Sequence, residues 1–178
     1  MINLSHMGLS SVTSDILIAE VASANEEGGV SVLNSHGGVS SLSTITGLDL
    51  SHNKIADFDF LSHLPLLRTL ILDHNQLRSH LRLPVLPSLN TFWANHNDVA
   101  NLPIFVANLS VAFPNLTYLS LMNNPCAPSY LNGGTVKAYR DYRQFVIGKL
   151  GKLQHLDDRP VTKLERADAT KVYGGLEL

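Results

Sequence analysis

Leu48-Asp49-Leu50-Ser51-His52-Asn53-Lys54-Ile55 alternates apolar and other residues and then places an asparagine, and the same pattern returns 22 residues later as Leu70-Ile71-Leu72-Asp73-His74-Asn75-Gln76-Leu77. It returns after 22 residues again as Phe92-Trp93-Ala94-Asn95-His96-Asn97-Asp98-Val99, and after 27 as Leu119-Ser120-Leu121-Met122-Asn123-Asn124. Periods of this length belong to chains built from stacked units, each too small to bury its own apolar face.

Each position in the unit has a physical reading. A short strand sends alternate side chains to opposite faces. Leu48 and Leu50, Leu70 and Leu72, Phe92 and Ala94, and Leu119 and Leu121 therefore point inward. The chain must then leave the sheet, which strands backbone groups without ladder partners. A buried asparagine offers both donors and an acceptor to them. Asn53, Asn75, Asn97 and Asn124 are expected to stack as that structural ladder.

The spacing and the apolar-x-apolar-x-x-Asn signature fall in the leucine-rich-repeat range. The expected fold is an α/β, right-handed solenoid with a parallel sheet on its concave face and a helical C-terminal cap. The returns differ: Phe58, Phe60, Leu61, Leu64 and Leu67 fill the first. Leu81, Leu83, Leu86 and Leu89 fill the second, where Pro84 and Pro87 oppose a regular helix. Ile104, Phe105, Val106, Leu109 and Phe113 suit a helical turn in the third.

The flanks are less regular. Ile2-x-Leu4-x-x-Met7-x-Leu9 reads as a degenerate first repeat with Met7 in the asparagine place. Thr13 or Ser14 can cap a helix running to about Ala24. The Gly- and Ser-rich run that follows reads as an inserted loop. The chain is expected to be one domain over 1–178: N-terminal repeat or cap 1–25, inserted loop 26–43, repeats 44–125 and C-terminal cap 126–178.

A solenoid exposes its core at each end, so its terminal elements must cover it. Residues Lys137 to Leu150 are good helix formers with Tyr139, Tyr142, Phe145, Val146 and Leu150 at helical spacing. Lys137, Arg140, Arg143 and Lys149 are expected on a solvated basic face. Leu153-x-x-Leu156-Asp157 looks like one last strand, and Thr162 with Glu165 three residues on forms a capping box for a final helix.

Asn124-Pro125, Tyr139-Arg140, Tyr142-Arg143, Phe145-Val146, Leu150, Leu153, Leu156-Asp157, Val161 and Glu165-Arg166 resemble the cap motif of one subgroup of leucine-rich-repeat proteins. That subgroup holds the families of the U2 small nuclear ribonucleoprotein A-prime protein, the acidic nuclear phosphoproteins, axonemal dynein light chain 1 and the leucine-rich melanocyte differentiation-associated protein. The insertion from Cys126 to Lys137 and the run Tyr142-Arg143-Gln144-Phe145-Val146 are most similar to the melanocyte family. That resemblance implies a cytoplasmic adaptor in membrane trafficking, endosome-associated, engaging a Rab-type small GTPase or an endosomal sorting complex. The A-prime resemblance implies a nuclear ribonucleoprotein scaffold instead, and the dynein resemblance an axonemal light chain. Cap motifs specify fold better than function, so these classes stay open.

On either view the partner is a protein, expected on the concave face. Residues between the buried strand positions form three columns there: Gly47, Thr69, Thr91, Tyr118; then Asp49, Ile71, Trp93, Ser120; then Ser51, Asp73, Asn95, Met122. Trp93 is the only tryptophan, and interfaces favour such rings. The candidate contact residues are Asp49, Ile71, Asp73, Trp93, Asn95, Tyr118 and Met122.

Other functions are disfavoured. The net charge of −2 argues against direct nucleic-acid binding. No apolar run is long enough for membrane insertion, and no leader pattern opens the sequence. Lone Cys126 excludes an intramolecular disulfide. His52, His74 and His96 should align, but strand spacing sets them in a line rather than around a tetrahedral zinc. Asp157-Asp158 reads as a turn rather than an acid pair. No phosphate loop or nucleophile elbow is present, so no enzyme, cofactor or metal is expected, and the chain is expected to be a monomer.

Overall fold

The computed structural model describes residues 1–27, 42–129 and 132–174. Strands β1 (Ile2–Asn3), β2 (Gly47–Asp49), β3 (Thr69–Ile71), β4 (Thr91–Trp93), β5 (Tyr118–Ser120), β6 (His155–Leu156) and β7 (Arg159–Pro160) make one sheet in chain order. Every neighbouring pair from β1 to β6 is parallel. The register joins the repeated positions: Leu48 pairs with Leu70, Leu70 with Phe92 and Phe92 with Leu119.

The inward residues form one continuous core. Leu48, Leu50, Leu70, Leu72, Phe92, Ala94, Leu119 and Leu121 are fully enclosed. The returns close over them as the spacing requires. Phe58, Leu61, Leu64 and Leu67 line the first, which holds a 3-10 turn at Asp59–His63. The second stays irregular at Pro84 and Pro87, and its Leu81 and Leu83 are only partly buried. The third is helix α2 (Leu102–Ala112), capped by Asn101, whose side chain accepts from Ile104 N at 3.1 Å. Asn108 of that helix ties it to the second return by donating to the Ser79 and Leu81 carbonyls.

The asparagine ladder follows one rule: each amide serves its own coil and the coil before it. Asn75 Nδ2 donates to Leu50 O, Asn97 Nδ2 to Leu72 O and Asn124 Nδ2 to Ala94 O at 3.0, 2.9 and 2.8 Å. Their Oδ1 atoms accept from Ile55, Leu77 and Val99 N. Asn53 does the same for the first coil, bonding Leu4 O and Leu9 N. Met7 occupies the asparagine place, as the sequence pattern indicates, but is 55% exposed, because a thioether cannot donate to carbonyls.

Helix α1 (Ser14–Glu27) starts after Thr13, whose Oγ1 accepts from Ile16 N at 3.5 Å, and it runs three residues beyond Ala24. Most of the segment read as an insertion lies outside the described residues. Leu42, its last apolar residue, is buried in the core.

The C-terminal unit packs helix α3 (Val136–Lys149) against α4 (Lys163–Tyr173). Thr135 caps α3, and Thr162 with Glu165 forms the expected capping box on α4. The basic face needs a correction. Arg143 is 5% exposed: its Nε donates to Glu165 Oε1 at 2.7 Å and its Nη1 to Leu156 O at 2.9 Å. Arg140 stays exposed, and Lys137 pairs with Asp141 one turn along. Arg166 donates to the Ile147, Leu150 and Leu153 carbonyls, satisfying the end of α3. Among the described residues, no helix is long and apolar enough to cross a membrane.

Candidate partner-binding face

The sheet's open face carries the three expected columns. Cα pairing runs Gly47–Thr69–Thr91–Tyr118 and Asp49–Ile71–Trp93–Ser120. None of Ile71, Trp93, Tyr118 or Met122 belongs to the core cluster, as alternation along a strand demands.

Rings cross this face from strand to strand. Trp93 of β4 meets Tyr118 of β5 at 6.1 Å between centroids. Tyr118 stacks on His155 of β6 at 5.2 Å and 15°. His155 was not among the sequence-read candidates; only the pairing of β6 with β5 brings it to Tyr118. Trp93 is half-buried, and its Nε1 is the one buried side-chain N or O atom among the described residues that lacks a hydrogen-bond partner. Met122 is 39% exposed at the strand exit. It also lines a cavity of about 630 Å³ with Pro128, Val136, Tyr139 and Arg159.

Two candidates are committed to the fold. Asp73 Oδ1 accepts from Asn95 N at 2.8 Å, and Asn95 Oδ1 accepts from Ser120 Oγ at 2.6 Å and Met122 N at 2.9 Å. Asn95 is only 8% exposed. These side chains hold backbone N–H groups where the chain leaves the sheet. Ile71, at 9% exposed, lies beneath its neighbours rather than above them. Asp49 accepts from the amide and hydroxyl of Ser51 and remains half-exposed.

Beside this face runs a column of imidazoles. His52, His74 and His96 stack as the repeat requires, and His6 of the degenerate first repeat joins them. Successive centroids lie 3.9, 4.2 and 4.0 Å apart, with interplanar angles of 15°, 11° and 11°. All four residues have left-handed backbones, φ 52 to 59°, a region histidine enters more readily than most residues. Asn123, at φ 59°, continues the column, its Nδ2 lying 2.9 Å from His96 Nε2. Among the described residues no group of three or more His, Cys, Asp or Glu side chains is arranged to hold a metal ion. Strand spacing sets the rings in a line rather than around a common point.

Of the remaining chemical candidates, Cys126 is partly buried and Asp157 is buried. Burial pushes the Cys126 thiol up to about 12. Asp157 is buried; burial raises its pKa against the opposing bonds from Leu121 N and Tyr142 OH. Asp158 is exposed.

A family model described as leucine-rich repeat matches residues 30–177. A chain of the Drosophila melanogaster SNF/U2A′ complex is 26% identical, with 80% of this chain and 75% of that chain covered and a TM-score of 0.57. The leucine-rich-repeat domain of Mex67 from Chaetomium thermophilum is 20% identical over 93% of this chain and 86% of that one, with a TM-score of 0.40. No curated protein sequence matches.

Proposed function

The chain belongs to the leucine-rich repeat family, and from that premise we propose that it is a non-enzymatic scaffold holding a protein partner against its concave sheet. The observation that carries this is the Trp93–Tyr118–His155 row, large rings on the open face and outside the core. Rings of this kind supply contact area at little cost in side-chain entropy. Asp49 and Met122 flank the row, and Asp73, Asn95 and Ile71 support it from below.

The partner's class follows two lines of resemblance. The melanocyte-type cap implies a trafficking role in the cytoplasm or on endosomes, with a Rab-type GTPase or sorting complex as partner. The A-prime-type cap implies a nuclear ribonucleoprotein scaffold. The likeness to a chain of the SNF/U2A′ complex favours the second, and no comparison favours the first. The C-terminal α3–α4 unit then serves as the cap of that subgroup.

The test is recovery of partners by the tagged full-length chain and by its Trp93→Ala/Tyr118→Ala double variant. Loss of the same protein partner from a variant with unchanged circular dichroism supports the reading; equal recovery rejects it. Residence of the tagged chain in nuclear speckles or on endosomal puncta separates the two partner classes.

A further inference from the structure

A stack of four imidazoles has a property that one imidazole lacks. Each neutral ring can lie flat against its neighbour, whereas two protonated rings about 4 Å apart repel each other. The backbones that carry these rings are tied together. His6, His52, His74 and His96 donate their backbone N–H groups to the Ser51, Asp73, Asn95 and Met122 carbonyls of the next coil at 3.0, 2.9, 2.9 and 2.9 Å. Those bonds extend the sheet beyond the strands and hold the four histidine backbones at strand spacing.

We propose that the His6–His52–His74–His96 column is an acid-sensitive seam along the edge of the concave face: the rings join four successive coils while neutral and push them apart when neighbours take protons. The groups facing His74 set the direction. Burial, His96 and His52 on either side, and His6 beyond all lower its pKa below the ordinary 6.5; Asp73 opposes them. The Asp73 carboxylate is itself held by Asn95, so it cannot swing to neutralise the column. A histidine whose pKa is lowered in the folded state takes up fewer protons than in the unfolded chain. Its contribution to stability is therefore complete at neutral pH and falls as pH drops through 6.5.

Asn123 indicates the substitution that tests this, because it already occupies the same left-handed place one coil on. Urea unfolding of the full chain at about pH 7.5 and about pH 5.5 brackets the imidazole range and stays above most carboxylates. The wild-type midpoint is expected to fall at the lower pH. His52→Asn/His74→Asn should lose at least half of that fall, while His80→Asn, outside the column, keeps it. An equal fall in the double variant overturns the proposal. Should the double variant fail to fold, proton NMR of the imidazoles supplies the answer in wild type and His96→Asn. Removing His96 must move the His74 titration up toward 6.5; an unmoved titration overturns the seam.

Discussion

The Tyr142 hydroxyl donates to Asp157 Oδ2 at 3.1 Å while the other oxygen of that carboxylate holds Leu121 N at 2.9 Å. One side chain thus couples helix α3 to the exit of strand β5. Asp157 also sits at φ 58°, where an asparagine or aspartate is tolerated and an alanine is strained. Asp157→Ala is expected to cost about 3 kcal/mol by orphaning both donors. Asp157→Asn should cost less than about 1 kcal/mol, because it keeps an acceptor for Leu121 N and removes a charge disfavoured by burial. Denaturant unfolding of the two variants compares them directly.

Asn97 offers a sharper test of the ladder. Its amide bonds Leu72 O and Asn95 O, and its oxygen accepts from Asn75 N and Leu77 N. Asn97→Ala leaves buried groups on two coils unsatisfied and should cost about 3 kcal/mol or more. The substitution Asn123→Ala, one residue outside the buried ladder, is expected to cost about 1 kcal/mol, mainly through its left-handed backbone. Equal losses would show that the ladder is not what joins the coils.

Arg143 and Glu165 give the cap a pH dependence of the opposite origin to that of the histidines. Burial alone would raise the Glu165 pKa, but the bonds from Arg143 and Thr162 together lower it below 4.5. A carboxylate with a lowered folded pKa stabilises above its unfolded value, and that stability is lost as pH falls below 4.5. Arg143→Met should remove most of this acid-side loss. It should also cost about 2 kcal/mol at neutral pH through the abandoned Leu156 and Pro160 carbonyls. Thermal unfolding between about pH 3 and about pH 7 measures both.

Trp93 is the sole tryptophan and lies half-buried on the proposed docking face, so the protein carries its own reporter. Docking of a partner over the ring row should move its fluorescence emission to shorter wavelength, since the indole passes from partial to full exclusion of water. A captured partner that leaves the emission unchanged binds elsewhere.

Much of this architecture was legible because a repeat states its rule several times. The inward alternation at Leu48 and Leu50 and the asparagine five residues after Leu48 recur, so noise at one copy is corrected by the others. Arg143 had no such support. On the helix it lies near Arg140, and its partners Leu156, Pro160 and Glu165 are set by tertiary packing that no local pattern encodes. Strand β7 escaped for a related reason: two residues, one a proline, cannot display alternation. His6 was hidden because Met7 broke the asparagine signature beside it. On the open face, strand alternation placed Trp93 and Tyr118 correctly. It could not show that Asn95 spends its amide within the fold, because that depends on the path of the chain after the strand.

The antiparallel return at β6–β7 has a consequence for how this molecule can be rebuilt. A further parallel coil would need the outer backbone groups of Leu156, and the reversed strand already occupies them through Arg159. Growth in that direction is closed by bond geometry rather than by lack of sequence. Between β2 and β4 nothing forbids it: coils there share one register and an offset of 22 residues, with each asparagine reaching backward to its predecessor. A duplicated Thr69–Asn90 segment would find a vacancy of its own shape on both sides, lengthening the docking face while leaving the cap untouched.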